Sequence, residues 1–331
     1  MSPGAAPVPV RWGILSTARI NDSFLGGLAQ TASGEALAVA SREPARAAEY
    51  ARAHDIARAH GSYEALLADP DVDAVYISLP NGLHIEWTRR ALEAGKHVLC
   101  EKPLSRRADE VQETFALAER SGRVLMEAFM YRHHPQTRRV AELVGAGAVG
   151  RLRLIRATFS FPLSDDADVR LQTGLDGGAL MDVGCYCVSA ARLLAGEPRA
   201  AYGAAELSAG GVDEVFAGTL QFAHGVLAQF DAGFALASRG ELEVVGEEAS
   251  LFVADPWHCR APGVELRRAD GTERITVAPA DSYRLQADNM AAAIAGTAAP
   301  LVSRAESVGQ ARTIEALYAS AESGRPVECS P

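Results

Sequence analysis

The feature that most constrains this chain is an alternation of strand and helix signals over its first ~125 residues, the pattern that builds a parallel sheet covered by helices. Val10 to Leu15 reads as a short buried strand that turns into a helix whose apolar residues Ile20, Phe24, Leu25 and Leu28 keep helical spacing. Ala36 to Ala40 forms the next strand and Pro44 to Ala53 the next helix. Ser62 suits the N-cap of a helix carrying Tyr63, Leu66 and Leu67. The run Val72 to Leu79 (VDAVYISL) is continuous, β-branched and aromatic, as a strand buried on both faces has to be. A helix from about His84 to Ala94 stops at Gly95. The strand His97 to Cys100, a further helix and the strand Val124 to Glu127 complete this half.

After about Gly150 the texture changes. Arg151 to Phe161 is a long alternating strand, and one helix follows near Asp182 to Leu194. From Ala200 to Val277 strands succeed one another without helices. Ala217 to Phe222 and Val226 to Phe230 flank His224-Gly225, a hairpin signal. Two helices close the chain. The last runs from about Ala305 to Ser323 with Val308, Ala311, Ile314, Leu317 and Tyr318 as its apolar stripe, and Gly324 stops it. The expected fold is α/β. A parallel sheet spans residues 8–128, and an α+β domain with a large open, mainly antiparallel sheet spans 129–331. A length of 331 residues has room for both.

Charge narrows the partners. The formal net charge of −10, with no lysine- or arginine-rich run, argues against nucleic acid. No apolar stretch reads as approaching the ~20 residues that span a bilayer. Met1 to Val10, rich in Pro, Ala and Gly, reads as a short tail and not as a signal peptide. The five cysteines, Cys100, Cys185, Cys187, Cys259 and Cys329, are odd in number and scattered. They make neither a disulfide framework nor a metal knuckle, and fit a reducing cytoplasm. No metal is expected, because nothing beyond the His133-His134 pair has ligand spacing.

Four segments carry chemistry. The first strand-turn-helix contains Ser16-Thr17-Ala18-Arg19-Ile20-Asn21. Ser16, Ala18 and Asn21 stand where a dinucleotide turn usually has glycine or alanine, so that backbone N–H groups can reach a pyrophosphate at the helix N-terminus. The residues are small or turn-compatible, but none is glycine, and an ordinary βα turn would read the same way. At the end of the second strand, Ser41-Arg42 and then Arg46 replace the acidic residue that holds the adenosine ribose in NAD sites. A hydroxyl and two guanidinium groups suit a 2′-phosphate, whereas pairing with Glu43 and Glu49 would make them only a solvated helix start. Cys100-Glu101-Lys102-Pro103 lies at the carboxyl end of a strand, where open α/β sheets bind their ligands. The fourth segment is Gly177-Gly178-Ala179-Leu180-Met181-Asp182-Val183-Gly184-Cys185-Tyr186. If Asp182 opens a helix, Asp182 and Tyr186 share a face, and the two glycines admit a close backbone or a ligand. By itself this segment reads equally as an Asp N-cap with a packed tyrosine.

In order and spacing, these four segments resemble the glucose-fructose oxidoreductase/inositol dehydrogenase family across almost the whole chain. Further blocks are Pro80-Asn81-Gly82-Leu83-His84, Glu127-Ala128-Phe129-Met130-Tyr131-Arg132 and His133-His134-Pro135. The resemblance is to its branch of glucose-fructose oxidoreductases, NADP-dependent xylose dehydrogenases and dimeric dihydrodiol dehydrogenases, which carries tyrosine where inositol dehydrogenases carry histidine. It implies a Rossmann cofactor domain binding NADP(H) in preference to NAD(H). The implied cofactor contacts are Ser16, Thr17, Ala18, Arg19, Ile20, Ser41, Arg42, Arg46, Tyr63, Leu79, Pro80, Asn81, His84, Glu101 and Lys102. It also implies a cis Lys102–Pro103 bond, substrate contacts from Lys102, Arg132, His134, Asp182 and Tyr186, and a homodimer or homotetramer joined through the open sheet.

The implied activity is hydride transfer between nicotinamide and a carbinol carbon of a sugar or polyol. Tyr186 is then the acid/base, Lys102 its electrostatic partner and Asp182 the anchor of a substrate hydroxyl. A free tyrosine has a pKa near ~10. Bringing it into working range asks for roughly 3–4 kcal/mol, which a nearby ammonium in a dry cleft can supply. Lys102 can equally touch the substrate oxygen itself. His84 and His134 read as cofactor-side or structural histidines. A dihydrodiol dehydrogenase, a nucleotide-sugar ketoreductase and a catalytically silent NAD(P)-binding regulator are the rival readings, since a fold does not fix a substrate.

Overall fold

The computed structural model of the chain describes residues 9–165 and 167–329. The first half alternates as expected: β1 (Val10–Leu15), α1 (Asn21–Leu28), β2 (Gly34–Ala40), α2 (Pro44–Ala53), β3 (Arg58–His60), α3 (Tyr63–Leu67), β4 (Ala74–Ile77), α4 (His84–Glu93), β5 (His97–Cys100), α5 (Ala108–Ser121) and β6 (Leu125–Glu127). The parallel sheet has strand order β3-β2-β1-β4-β5-β6. Connections therefore reverse direction between β1 and β4, and the crevice outside their carboxyl ends is the ligand position of such sheets. Every residue of β4 is buried, in keeping with its unbroken apolar run. Ser62 caps α3 by accepting from the Ala65 N–H. The three-residue β3 was not anticipated, because a strand that short shows no periodicity.

The second half holds α6 (Pro135–Gly145), β7 (Leu152–Ser160), α7 (Cys185–Ala195), β8 (Ala200–Leu207), β9 (Asp213–Gln221), β10 (Leu227–Gly233), β11 (Arg239–Gly246), β12 (Ser250–Val253), β13 (Gly263–Arg268), β14 (Gly271–Thr276), α8 (Ser282–Ile294), α9 (Arg304–Ser323) and β15 (Val327–Glu328). Its nine strands form one open sheet in the order β14-β13-β12-β11-β7-β10-β9-β8-β15. All its pairings are antiparallel except β7 with β10. The β9–β10 hairpin turns at His224 and Gly225, both at positive φ, as a tight primed turn requires.

The helix predicted to open at Asp182 starts earlier and differently. Leu180–Gly184 is a π-helical turn running into α7, with the Asp182 N–H bonded to the Gly178 carbonyl. Asp182 is thus inside the helix, not its N-cap. Asp213 takes the capping role, accepting from the Leu180 N–H at 2.6 Å. The stretch Thr173–Ala195 is, by length and composition, apolar enough to cross a membrane, contrary to the expectation from sequence, yet 78% of that window lies buried inside the protein. It is the central core segment. One apolar cluster joins Trp12, Ile14 and Tyr76 of the parallel sheet to Tyr131, Val188, Phe216 and Trp257. The closing helices return to the first half, α8 against α1 and α9 against α5. The expected tail reading of residues 1–8 lies outside the described residues.

Candidate active site

Parallel pairing of β4 with β5 brings the segment after Cys100 to the crevice, and the Glu101 N–H bonds to the Ile77 carbonyl. The Lys102–Pro103 bond is cis, as the family resemblance implied. Lys102 reaches across to the π-helical turn, where its Nζ donates to the Asp182 carbonyl at 2.8 Å and to Asp182 Oδ1 at 3.1 Å. The other carboxylate oxygen, Oδ2, accepts from Arg170 Nε at 2.7 Å. Burial works against the charges of both partners. Asp182, Cys185 and Glu101 nevertheless hold the Lys102 ammonium above its ordinary range, and Lys102 and Arg170 hold the Asp182 carboxyl below its own. The pair is a stable ammonium–carboxylate. Glu101 accepts from the Tyr76 hydroxyl at 2.5 Å, and burial pushes its carboxyl up against the pull of Lys102 and Tyr76.

Tyr186 is packed edge-on against Phe129 and Phe159 and lies tilted to Tyr131 and Trp257. Lys102 Nζ sits over the ring, 4.9 Å from its centroid. The hydroxyl donates to Met130 Sδ at 3.6 Å. An ammonium near the phenol was the expectation, and here it meets the ring without a hydrogen bond to the hydroxyl. The Asp182 backbone and side chain draw the ammonium to the ring face instead. Burial, with Tyr283 and Glu101 nearby, pushes the Tyr186 phenol well above its ordinary range, so it rests protonated. A thioether is a weak acceptor, which leaves that proton ready for a better one.

At the end of β1, Ser16 adopts φ 116°, the conformation the missing glycine would supply. Its Oγ accepts from the Ala18 N–H at 3.1 Å and pairs with Ser78 Oγ at 2.8 Å, while Asn21 Nδ2 caps the Ser16 carbonyl at 3.0 Å. Thr17, Ala18, Arg19 and Ile20 form the turn, and carbonyls of the last three accept the first N–H groups of α1. Ser41 Oγ accepts from the Glu43 N–H at the end of β2. Arg42 and Arg46 flank Tyr63, opposing the upward push of burial on its phenol. No ion pair engages either arginine among the described residues, so the feared neutralisation by Glu43 and Glu49 is absent there. The His84 ring nitrogens meet the Leu79 carbonyl at 2.7 Å and the Pro103 carbonyl at 2.8 Å, tying the segment after β4 to the Glu101-Lys102-Pro103 segment. Asn81, following Leu79 and Pro80, donates to the Asp176 carbonyl at 2.9 Å. A positive-φ turn at the switch point and two guanidinium groups at the end of β2, neither in an ion pair among the described residues, fit a phosphorylated dinucleotide.

Comparison with known proteins decides the family. Residues 10–129 match a model described as oxidoreductase family, NAD-binding Rossmann fold, and residues 137–252 match the GFO/IDH/MocA C-terminal domain. The chain belongs to the GFO/IDH/MocA oxidoreductase family. Among similar members, D-xylose 1-dehydrogenase (NADP(+)) 2 of Haloferax volcanii is 44% identical, over 96% of this chain and 99% of that protein. The dTDP-3,4-didehydro-2,6-dideoxy-alpha-D-glucose 3-reductase of Actinomadura kijaniata is 35% identical, over 95% and 96%. The crystal structure of KijD10, a 3-ketoreductase from the same organism in complex with NADP and TDP-benzene, superposes with a TM-score of 0.89 at 33% identity, covering 94% of this chain and 98% of that one. This GFO/IDH/MocA chain is an NAD(P)-dependent oxidoreductase.

Two expected substrate contacts have protein partners among the described residues. The Arg132 guanidinium bonds Glu306 of α9 at 2.5 Å and the Ser189 hydroxyl at 3.4 Å, a buried tie that only the returning helix makes possible. His134 is fully buried as the N-cap of α6, its Nδ1 accepting from the Gln136 N–H at 3.0 Å. The paired glycines also serve the fold. A Cβ on Gly177 would stand 2.3 Å from the Arg170 carbonyl oxygen, and one on Gly178 2.1 Å from Asp213 Oδ1. Sequence reading missed Arg170, Tyr76, Met130, Trp257 and Tyr283. The last comes from α8, and its phenol is raised first by burial and then by Glu101. Apart from Met130, which lies in the Glu127–Arg132 block, none has a local motif. Asp168-x-Arg170 reads in sequence like any charged loop.

Proposed function

We propose that the chain is an NADP(H)-preferring sugar dehydrogenase, acting on a carbinol carbon of an aldose or related polyol through Lys102, Asp182 and Tyr186. The observation that carries this reading is the Lys102–Asp182 ion pair, set against the Tyr186 ring at the carboxyl end of β5. Arg42, Arg46 and Ser41 would hold the 2′-phosphate, and the Ser16–Ile20 turn would receive the pyrophosphate. Bound nicotinamide supplies the carbon that gives or takes the hydride. Tyr186 moves the proton at the reacting sugar oxygen. Lys102 stabilises negative charge growing on that oxygen, and Asp182 keeps the lysine charged and oriented. The aromatic shell of Phe129, Phe159 and Trp257 keeps water from the phenol.

The similarity to a xylose dehydrogenase favours free aldoses. The resting, protonated phenol equally suits proton donation to a keto oxygen, and the fold match to a 3-ketoreductase makes nucleotide-sugar reduction the second reading. A panel assay separates them. NADP+ reduction with a free pentose or hexose supports the first, and NADPH oxidation by a keto-sugar nucleotide alone supports the second. Cofactor binding without turnover of either class would leave a silent regulator.

In this reading residues 8–128 are the cofactor unit and 129–331 the substrate- and subunit-contacting unit. Subunits pair into a dimer or tetramer through the outer face of the nine-stranded sheet, where Tyr202 and Leu227 lie 43% and 41% exposed. A cytoplasmic setting agrees with five free cysteines, four of them buried.

A further inference from the structure

Arg170 is absent from the reading above, yet it holds half of the Asp182 carboxylate. It sits in the short turn Val169–Leu171, within the segment joining β7 to the π-helical turn. That segment is closed by local bonds. The Asp168 carboxylate accepts from the Arg170 N–H at 2.9 Å and from Arg170 Nη1 at 3.2 Å, and the Arg170 carbonyl accepts from the Gly178 N–H at 2.8 Å. At its other end, the Asp176 carbonyl takes the Asn81 amide, and the Asp176 carboxylate pairs with Arg106 at 3.2 Å. Both anchors lie beside segments already placed in the site, Pro80-Asn81 and Lys102-Pro103. The loop therefore presents the guanidinium from a fixed base. Nε–H points at Asp182 Oδ2, Nη1 is held by Asp168, and Nη2 has no hydrogen-bond partner among the described residues.

We propose that Arg170 is a positioning residue for the hydride-transfer reaction, fixing the Asp182 carboxylate from behind so that Oδ1 stays on Lys102 and Lys102 stays on Tyr186. The proposal rests on the reading of Lys102, Asp182 and Tyr186 as the working groups. Its physical basis is the scarcity of other support. Lys102 keeps the Asp182 backbone carbonyl at 2.8 Å whatever the side chain does, but a carboxylate held by one oxygen can rotate, and rotation would break the 3.1 Å bond that sets its charge on the ammonium. A planar guanidinium on the second oxygen, itself clamped by Asp168, removes that freedom. It also adds a second positive charge to a carboxyl faced by Glu101, Cys185 and Tyr186 as well as Lys102. Burial favours the neutral acid, so the second cation helps to keep Asp182 ionised. Sequence alone could not show this pair, whose members stand 12 residues apart across an irregular loop.

The test compares Arg170→Ala, Arg170→Lys and Lys102→Ala in the full-length enzyme, with its best sugar and NADP+. Arg170→Ala is expected to lower kcat by about 10- to 100-fold with little change in NADPH binding measured by fluorescence. It should also move the acid limb of the kcat profile up by about one pH unit, because the carboxyl that Arg170 keeps ionised now protonates more readily. Arg170→Lys should recover part of kcat, and added guanidinium chloride at low millimolar concentration should raise the activity of Arg170→Ala but not of the wild type. A folded Arg170→Ala with wild-type kcat and an unmoved acid limb overturns the proposal. So does a loss of activity that neither lysine nor guanidinium recovers and that accompanies a lowered Tm, since that marks a loop fastener only. Lys102→Ala separates the two levels. If it keeps turnover, the reading of the site itself fails. If it is inactive while Arg170→Ala behaves as wild type, only the role given to Arg170 falls.

Discussion

At the residue scale the site is a set of charges whose burial is offset pairwise, and one phenol whose burial is not. Lys102 and Asp182 satisfy each other, whereas Tyr186 has only a thioether for its proton. Tyr186→Phe is therefore expected to leave Tm almost unchanged while lowering kcat by about 10²–10⁴-fold and flattening one limb of the pH–rate profile. Steady-state kinetics alongside a melting curve check this. An early-melting variant would make Tyr186 a packing residue. At the far end of the crevice, Arg42→Asp removes the guanidinium proposed to take the 2′-phosphate and installs an acceptor for ribose hydroxyls. The ratio of kcat/KM with NADP+ to that with NAD+ should fall at least ~10-fold and invert, since a charge-assisted phosphate contact exceeds a neutral one by more than ~1.4 kcal/mol. Of these residues, Lys102, Asp182 and Tyr186 were legible as types in a pattern. The direction of the Tyr186 hydroxyl was not, because it depends on Met130 and on a ring of aromatics drawn from three separate segments.

The element that decides the site is the π-helical turn leading into α7. Its start is held by Asp213, which accepts from the Leu180 N–H at 2.6 Å and from the Tyr318 hydroxyl at 2.9 Å. Burial raises the Asp213 carboxyl from 3.8 to about 6, against the pull of its donors. Between about pH 4 and about pH 6, the folded protein thus keeps a proton that the unfolded chain has released. This group's contribution to stability is greatest below about pH 4, falls through that window and is level above it. Asp213→Asn should flatten the dependence of Tm on pH between 4 and 6. Asp213→Ala should flatten the same slope and, because it also strips the cap, lower Tm further, by about 1 kcal/mol or roughly 2–4 °C above pH 6. Differential scanning fluorimetry across buffers distinguishes the two. An unchanged pH slope in Asp213→Asn would show that the carboxyl titrates normally. The sequence placed a helix here and misjudged its first turn, since the capping carboxylate stands 33 residues downstream on β9.

At the scale of the whole molecule, the two sheets are coupled through a shared core, and α8 and α9 cross back to the cofactor half. The outer face of the large sheet is where a second copy is proposed to sit. On it Tyr202 pairs across β9 Thr219 with β10 Gln229, and Leu227 pairs with Leu154 of β7, giving a flat patch of mixed polarity. Tyr202→Glu should move the mass measured by light scattering from a multiple of 34.9 kDa towards that value while leaving the melting of the isolated subunit nearly intact. A wild type that already runs as a monomer would remove this face from consideration.

What the sequence determined by itself is what short-range pattern can encode. Unbroken apolar runs and helical stripes marked the strands and helices of the first half, short β3 excepted, and with them the crevice. The motif around Lys102 marked its occupant. Gly324 ended α9 and His224-Gly225 turned the hairpin, because those positions need positive φ. What only the tertiary structure decided are the pairings made at long separation. Lys102 meets Asp182 80 residues on, and Arg132 meets Glu306 174 residues on. The same motif residue can face a ligand or a helix, and its own neighbours in sequence do not tell which. That choice depends on which oppositely charged group the fold carries to it, and a buried charge goes to the partner that best replaces its lost water.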